Sequence, residues 1–481
     1  MQRGRVFLFA AALLVLFCAF EARGLTLAQL RARLATDEVR GPRDAGYNDL
    51  RTGYNQRYSR LPAVIVSPRN VTGVQLAIEY ARTNNLTVSL RSGAHSAELL
   101  GVLDEAVVID FSINMKSISI DVAQKIATVE PGMRWGDFYT ATVPLGLGAP
   151  GGSCPGVGVG GSSLGGGAND LATVLGYSLD NVLGFQVVLA NGSVVEASDD
   201  SHPDLFWALR GAGHGGLGVV TSITLQLSPI EPTFYSAWIT YAWADFEALL
   251  NQVALYSQTM PDQVNLYFTG WKSAATLNVA LSCFYNGPPD VGATVCGRWA
   301  NASVTGVAPT SYSPTVEPYD ATVRKGTDPK GRRSFTKGGL LTGLTRKAVR
   351  AIRRSLEDGP ESDATTNTAR LNLYWQGGKM LDRARDAVAF VHRTYPWNAV
   401  WLASYVPDAM TDEYARWITI TNNRRMAPFM SGETYNNYPD LAMADWRWAY
   451  YAENYPRLRV IKAAYDPHQL FKGPQTIEPA I

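Results

Sequence analysis

Two nucleophilic side chains stand inside runs of very small residues. His95 lies in Arg91-Ser92-Gly93-Ala94-His95-Ser96, and Cys154 lies in Gly151-Gly152-Ser153-Cys154-Pro155-Gly156-Val157-Gly158-Val159-Gly160-Gly161. Where no Cβ stands in the way, the backbone can come close to an anionic or planar ligand. An imidazole and a thiolate can each form a covalent intermediate or link. Two such loops, each with one nucleophile, point to a cofactor gripped from two sides and bonded to both.

Cysteine counting singles out Cys154. Cys18 belongs to an N-terminal segment in which Arg3 and Arg5 precede an apolar run from Val6 to Phe20, followed by Glu21-Ala22-Arg23-Gly24. A basic start, an apolar middle and a small-residue exit are the marks of a secretory signal peptide, expected over 1–24. An uncleaved anchor is the alternative for this run, which is short for a span. Cys283 and Cys296 enclose a Gly-Pro-Pro segment and could pair in an oxidising compartment. Cys154 is then left over. Burial as an inert thiol would explain that, but fits poorly with so glycine-rich a loop. Sequons at Asn70, Asn85, Asn191 and Asn301 agree with secretion. The mature chain is expected to be secreted, soluble, monomeric and free of the membrane.

These loops must be carried by a scaffold of some size. A chain of 481 residues predicts two domains. A formal charge of +1 without a basic run excludes a nucleic-acid partner, and no metal site is expected. Residues 60–230 read as alternating strands and helices. Val74, Ala77, Ile78 and Ala81 recur at helical spacing, and a strand over 86–90 feeds the His95 loop. Further strands are expected at 107–110, 126–129 and 219–227, with a hairpin turning at Asn191-Gly192. Beyond Ser228-Pro229-Ile230-Glu231-Pro232 the alternation at 234–241 and 263–268 predicts a second, largely antiparallel domain. The tail from about Tyr435 is expected to return to the first domain.

Gly156, Gly158 and Gly161 satisfy G-x-G-x-x-G, with Asp180 further on, yet the context of a dinucleotide-binding turn fails. Pro144 to Pro150 precedes the loop instead of a strand, and Gly165-Gly166-Gly167 follows where a helix should run. A Walker loop is excluded because Gly-Lys-Ser/Thr is missing.

Taken together, Arg-Ser-Gly-X-His, Cys-Pro-X-Val-Gly-X-Gly-Gly, Asp204-Leu205-Phe206-Trp207-Ala208-Leu209-Arg210-Gly211 and the tail Asn454-Tyr455-X-Arg457-Leu458 … Tyr465-Asp466-Pro467-X-X-X-Phe471 resemble the berberine-bridge-enzyme-like flavin oxidases, of the vanillyl-alcohol-oxidase (PCMH) type. The resemblance runs from about residue 55 to the C-terminus. It implies an α+β, two-domain PCMH-type FAD-binding fold: an FAD domain over 25–230, a substrate domain over 231–434 built on an antiparallel sheet flanked by helices, and a returning segment over 435–481. It further implies FAD joined through its 8α-methyl to His95 and through C6 to Cys154. Cofactor contacts are expected from Arg91, Ser92, Gly93, Ala94, Ser96, Gly152, Ser153, Val157, Gly158, Gly160, Gly161, Gly165, Gly218, Val219, Tyr451 and Asn454. Val157 matches the position that gates oxygen, and valine there resembles the permissive choice.

On the substrate side the family's base is carried by a motif that here reads Tyr435-Asn436-Asn437-Tyr438-Pro439-Asp440, with Tyr435 as the candidate. A tyrosine with a pKa of about 10 needs a nearby cation to act as a base. Arg370, Asn372 and Tyr374 fall on one face of a strand before Gly377-Gly378, and Arg370 is expected to stabilise a Tyr435 phenolate. A solvated polar face is the plainer reading of that strand. Plant-type members carry tyrosines where this chain has Ala97 and Ala168, and usually a glycine where it has Asn169 or His214. The expected activity is a flavin oxidase removing hydride from an alcohol or hemiacetal carbon, carbohydrate favoured, with O2 as acceptor. The alternatives are a secondary-metabolite oxidase and a non-catalytic binding protein.

Overall fold

The computed structural model describes residues 24–324, 333–361, 368–405 and 411–481. The expected leader lies outside them except for Gly24. No helix among the described residues is long and apolar enough to cross a membrane.

A four-stranded sheet opens the chain, in the order Val39–Arg40, Val64–Val66, Val107–Asp110, Val88–Arg91. The last three run parallel. The helix Val71–Thr83 makes the crossover and buries Val74, Ala77, Ile78 and Ala81, the stripe read from the sequence. Asn70 caps it by accepting a hydrogen bond from Gly73 N–H (3.1 Å). This sheet aims the C-terminal end of Val88–Arg91 at the His95 loop.

A five-stranded antiparallel sheet follows, in the order Ile118–Asp121, Ile126–Val129, Val219–Gln226, Val182–Val188, Val194–Ala197. Its last pair is the hairpin that turns at Asn191-Gly192, with Gly192 at φ +86°. Between the two sheets pass the glycine-rich segments.

The second domain is a seven-stranded antiparallel sheet, in the order Pro309–Glu317, Phe234–Tyr241, Thr276–Tyr285, Val264–Ser273, Thr368–Trp375, Trp397–Tyr405, Arg333–Leu341. Helices Phe246–Tyr256, Arg346–Glu357 and Thr411–Ile420 cover one face, packing Leu249, Val253, Ile352, Leu356 and Trp417 on Leu266, Leu281, Leu371 and Leu373. Cys283 and Cys296 form a disulfide on that side, and among the described residues Cys154 is the cysteine outside it. The opposite face looks partly toward the first domain. The tail from 435 on returns there, with Trp446, Tyr450, Tyr451 and Leu458 in one core and Phe471 in the other. The α+β, two-domain expectation is met.

Candidate active site

The loops that carry His95 and Cys154 touch backbone to backbone. A Cβ on Gly93 would overlap the Gly158 nitrogen, and one on Gly158 would overlap Ser92 Oγ and the Gly93 nitrogen. Both positions need glycine because of that close approach. The Cys154 loop is fastened along the chain before it: Trp135 N–H donates to Val157 O (3.0 Å), and Val159 N–H to Met133 O (2.8 Å). The His95 loop bends through Ala94 at φ +52°, a left-handed conformation that costs a non-glycine residue roughly 1–2 kcal/mol. That bend sets the His95 ring against Tyr54, centroids 4.6 Å apart and nearly parallel. Tyr54 carries no signal in the sequence, because no periodicity or spacing ties it to the loop.

Both loops open into one cavity of about 570 Å³. Its walls include His95, Cys154 and, of the residues expected from sequence, Arg91, Ser92, Gly93, Ala94, Ser96, Gly152, Ser153, Val157, Gly158, Gly160, Gly161 and Gly218. Arg370, Asn372, Tyr374 and Tyr435 line it as well, and Ala97 and Ala168 are in its wall. Arg91 reaches it while its guanidinium serves the fold, Nη1 donating to Asp110 Oδ1 (2.9 Å) and Ser112 Oγ (2.8 Å).

Four expected contacts do not line the cavity. Val219 points into the core, and strand alternation gives its place to Val220. Gly165 packs against Asn437. Tyr451 donates to Ala212 O (2.9 Å), so it braces a wall residue from behind. Asn454 ties Arg385 O (2.9 Å) and Val388 O (3.1 Å) together. A motif in sequence does not separate a contact from its support.

The strand Thr368–Trp375 divides as its alternation requires: Ala369, Leu371 and Leu373 are fully buried against the helices, and Arg370, Asn372 and Tyr374 face the cavity. These three form a directed series. Arg370 Nε donates to Asn372 Oδ1 (2.8 Å), and Asn372 Nδ2 donates to Tyr374 Oη (3.0 Å). The guanidinium polarises the amide, which strengthens the bond the amide gives to the phenol oxygen. Burial raises the Tyr374 pKa. The Arg370 charge and hydrogen bonds from Asn372 and Tyr438 work to lower it, whereas Cys154 raises it.

This corrects the expected pairing of Arg370 with Tyr435. Tyr435 Oη accepts from Gly167 N–H (2.8 Å) and from Asn437 Nδ2 (3.0 Å), and burial pushes its pKa up to about 12. Arg370 acts on Tyr374 instead. Gly166 (φ +134°) and Gly167 (φ +77°) form the turn that seats the Tyr435 ring, and a Cβ on Gly166 would enter that ring. Tyr438, the other tyrosine of the motif, hydrogen-bonds Tyr374 and feels Cys154. The motif contains both tyrosines, and only the fold shows which one stands with the nucleophiles.

Comparison with known proteins follows the same lines. Residues 62–198 match the family model described as an FAD binding domain, and 434–478 match the one described as berberine and berberine like. The uncharacterised FAD-linked oxidoreductase YgaK of Bacillus subtilis is 30% identical over 91% of this chain and 95% of its own length. The xylooligosaccharide oxidase of Thermothelomyces thermophilus is 29% identical, over 89% of each. Among solved structures, a 6-hydroxynicotine oxidase from Arthrobacter nicotinovorans aligns with TM-score 0.83 at 26% identity, covering 92% of this chain and 98% of that one. The chain belongs to the berberine-bridge-enzyme-like FAD-linked oxidoreductases.

In this FAD-linked oxidoreductase the cavity suits a large polar cofactor. Asn436 Oδ1 and His214 Nε2 are buried at the wall with no protein partner among the described residues. A buried polar atom left this way is costly unless a ligand supplies its partner, as the hydroxyls of FAD would. Burial lowers the His214 pKa to about 4, so the ring is neutral at physiological pH. Neither side chain carries a signal in sequence beyond the departure at His214.

Proposed function

We propose that this chain is an oxidase that takes hydride from an alcohol or hemiacetal carbon, with carbohydrate as the favoured substrate class. One observation carries the reading: His95, Cys154 and the Arg370–Asn372–Tyr374 series converge on a single cavity. His95 and Cys154 would hold the cofactor covalently, through its 8α-methyl and C6. FAD held there would supply the hydride acceptor, and O2 would take the electrons as H2O2.

The chain's own side chains handle the proton. Tyr374 Oη takes it from the substrate hydroxyl, and two hydrogen bonds, from Asn372 and from Tyr438, favour its phenolate. Arg370 acts through Asn372 and through its charge. Tyr435 is a positioning residue that keeps the Gly166-Gly167 turn and the Asn437 amide in place. Val157 stands at the cavity wall three residues after Cys154, and its short side chain leaves room for O2. The xylooligosaccharide oxidase among the relatives supports a sugar substrate, and the likeness to a 6-hydroxynicotine oxidase supports a small heterocyclic metabolite as the second reading. Secretion and a monomeric state complete the proposal.

Anaerobic mixing with a panel of neutral sugars, simple alcohols and heterocyclic amines tests it. A sugar is expected to bleach the flavin absorbance, and readmitted O2 to restore it with release of peroxide. Bleaching by amines alone would transfer the site to the second reading, and bleaching by nothing would leave a binding protein.

A further inference from the structure

A short strap, residues 53–58, runs along the His95 loop and is tied to it repeatedly. Tyr54 N–H donates to Ala94 O (3.3 Å), Asn55 Nδ2 donates to Ala97 O (2.6 Å), and Arg57 Nη2 donates to Glu98 Oε2 (2.7 Å). A Cβ on Gly53 would meet Ala94 O at 2.8 Å and Leu99 Cδ1 at 2.7 Å, so the strap begins in close contact with the loop. Its other side is held by Arg333–Leu341, the edge strand of the large sheet. Buried Asn55 donates from Nδ2 to Ser334 O (2.9 Å) and accepts at Oδ1 from Ser334 N–H (3.0 Å). The Arg57 guanidinium lies over the Phe335 ring, 4.1 Å from its centre. Loop and sheet therefore clamp the strap between them.

What the clamped strap presents to the cavity is the Tyr54 ring. It shares the cavity wall with His95, and the two planes meet at only 22°. The terminal torsion of a histidine is broad, so the loop backbone does not by itself set the plane of the imidazole. The lone pair that makes the ring a nucleophile lies in that plane. A flat neighbour at stacking distance removes rotation out of the plane, which an aliphatic side chain of similar size would permit. Burial pushes the Tyr54 pKa up to about 12, so the phenol stays neutral and offers His95 a face, not a base.

We propose that Tyr54 is the positioning residue of the His95 link: its ring holds the imidazole in the plane from which its nitrogen reaches the flavin methyl, while the Cys154 link forms without it. This rests on the covalent reading of the site and deepens it by making the two links separable. In the His95 link one C–H bond of the methyl and one N–H bond of the imidazole break, and one C–N bond forms. The two protons and two electrons pass to the flavin ring system, and O2, the acceptor named above, takes them as H2O2.

Peptide mass spectrometry of the flavin-loaded protein counts the two links separately. Tyr54→Leu is expected to lower the flavin carried by the His95 peptide by about tenfold or more, the effect of a misplaced reacting atom, while the Cys154 peptide keeps its flavin. Tyr54→Phe and Tyr54→Trp should retain both links. Gly53→Ala keeps the tyrosine but pushes the strap off the loop, so the same selective loss is expected, and this variant decides if the leucine variant holds no flavin. Both links intact in Tyr54→Leu and Gly53→Ala, or both lost in parallel, overturns the proposal. Loss of the His95 link in Tyr54→Phe also overturns it, by assigning the effect to the hydroxyl. A natural-sequence protein with no flavin on His95 would instead remove the covalent reading itself.

Discussion

Tyr374 is one oxygen among several buried phenols, and what distinguishes it is the direction of its hydrogen bonds. Asn372 donates to it, Arg370 reinforces Asn372, and Tyr438 hydrogen-bonds it from the other side. Tyr374→Phe is therefore expected to slow flavin reduction by 10²- to 10⁴-fold, the usual range for a lost general base, while the protein stays yellow. Tyr435→Phe leaves the buried Gly167 N–H without its acceptor, so a loss of about 1–3 kcal/mol of stability is expected and a smaller kinetic effect. Stopped-flow reduction and thermal unfolding of the two variants separate the roles. The sign of the pH effect follows from the same geometry. Burial raises the Tyr374 pKa and Arg370 lowers it, so the phenolate fraction grows with pH, and Arg370→Met should move the rise in reduction rate to higher pH. An unmoved profile would remove Arg370 from the series. Alternation in the sequence displayed the Arg370, Asn372 and Tyr374 face correctly. It did not display which tyrosine they serve, because that depends on how a segment sixty residues later crosses the strand.

The elements that matter most are two loops with almost no side chains. Gly158 has an ordinary φ, so alanine would be acceptable to its own backbone, and the obstacle is the His95 loop pressed against it. Gly158→Ala is expected to cost about 1–3 kcal/mol by overpacking and to lower flavin content, measured as the ratio of flavin to protein absorbance. Full flavin content with unchanged stability would mean that the loops part easily. Their composition made these loops legible before any fold was known. What composition could not give is their mutual contact, or the bracing of one by Trp135 and Met133, since both depend on packing between sheets. Tyr451 and Asn454 show the converse. They belong to a recognisable motif, yet each spends its polar atoms on backbone carbonyls behind the wall.

Across the molecule, buried phenols link the fold to pH. Burial pushes Tyr54 and Tyr435 up to about 12 and raises Tyr177 and Tyr451 as well. Their unfolded value is near 10. Folded pKa values above the unfolded ones mean that stability is full below pH 10 and is lost as pH rises toward 12, where only the unfolded chain is ionised. The melting temperature should therefore hold to about pH 10 and fall steeply above it, and a flat profile to pH 11.5 would contradict the burial. At this scale the sequence was readable in part: alternation beyond the Pro-rich stretch near 230 pointed to the antiparallel sheet found there, whereas the split of the first domain into a sheet with three parallel strands and an antiparallel one depends on strand pairing that periodicity does not carry. The central claim remains the two-point hold on the cofactor by His95 and Cys154. Acid denaturation, proteolysis and mass spectrometry test it most directly: one flavin bridging the His95 and Cys154 peptides is the predicted result, and FAD released freely into the supernatant would contradict it.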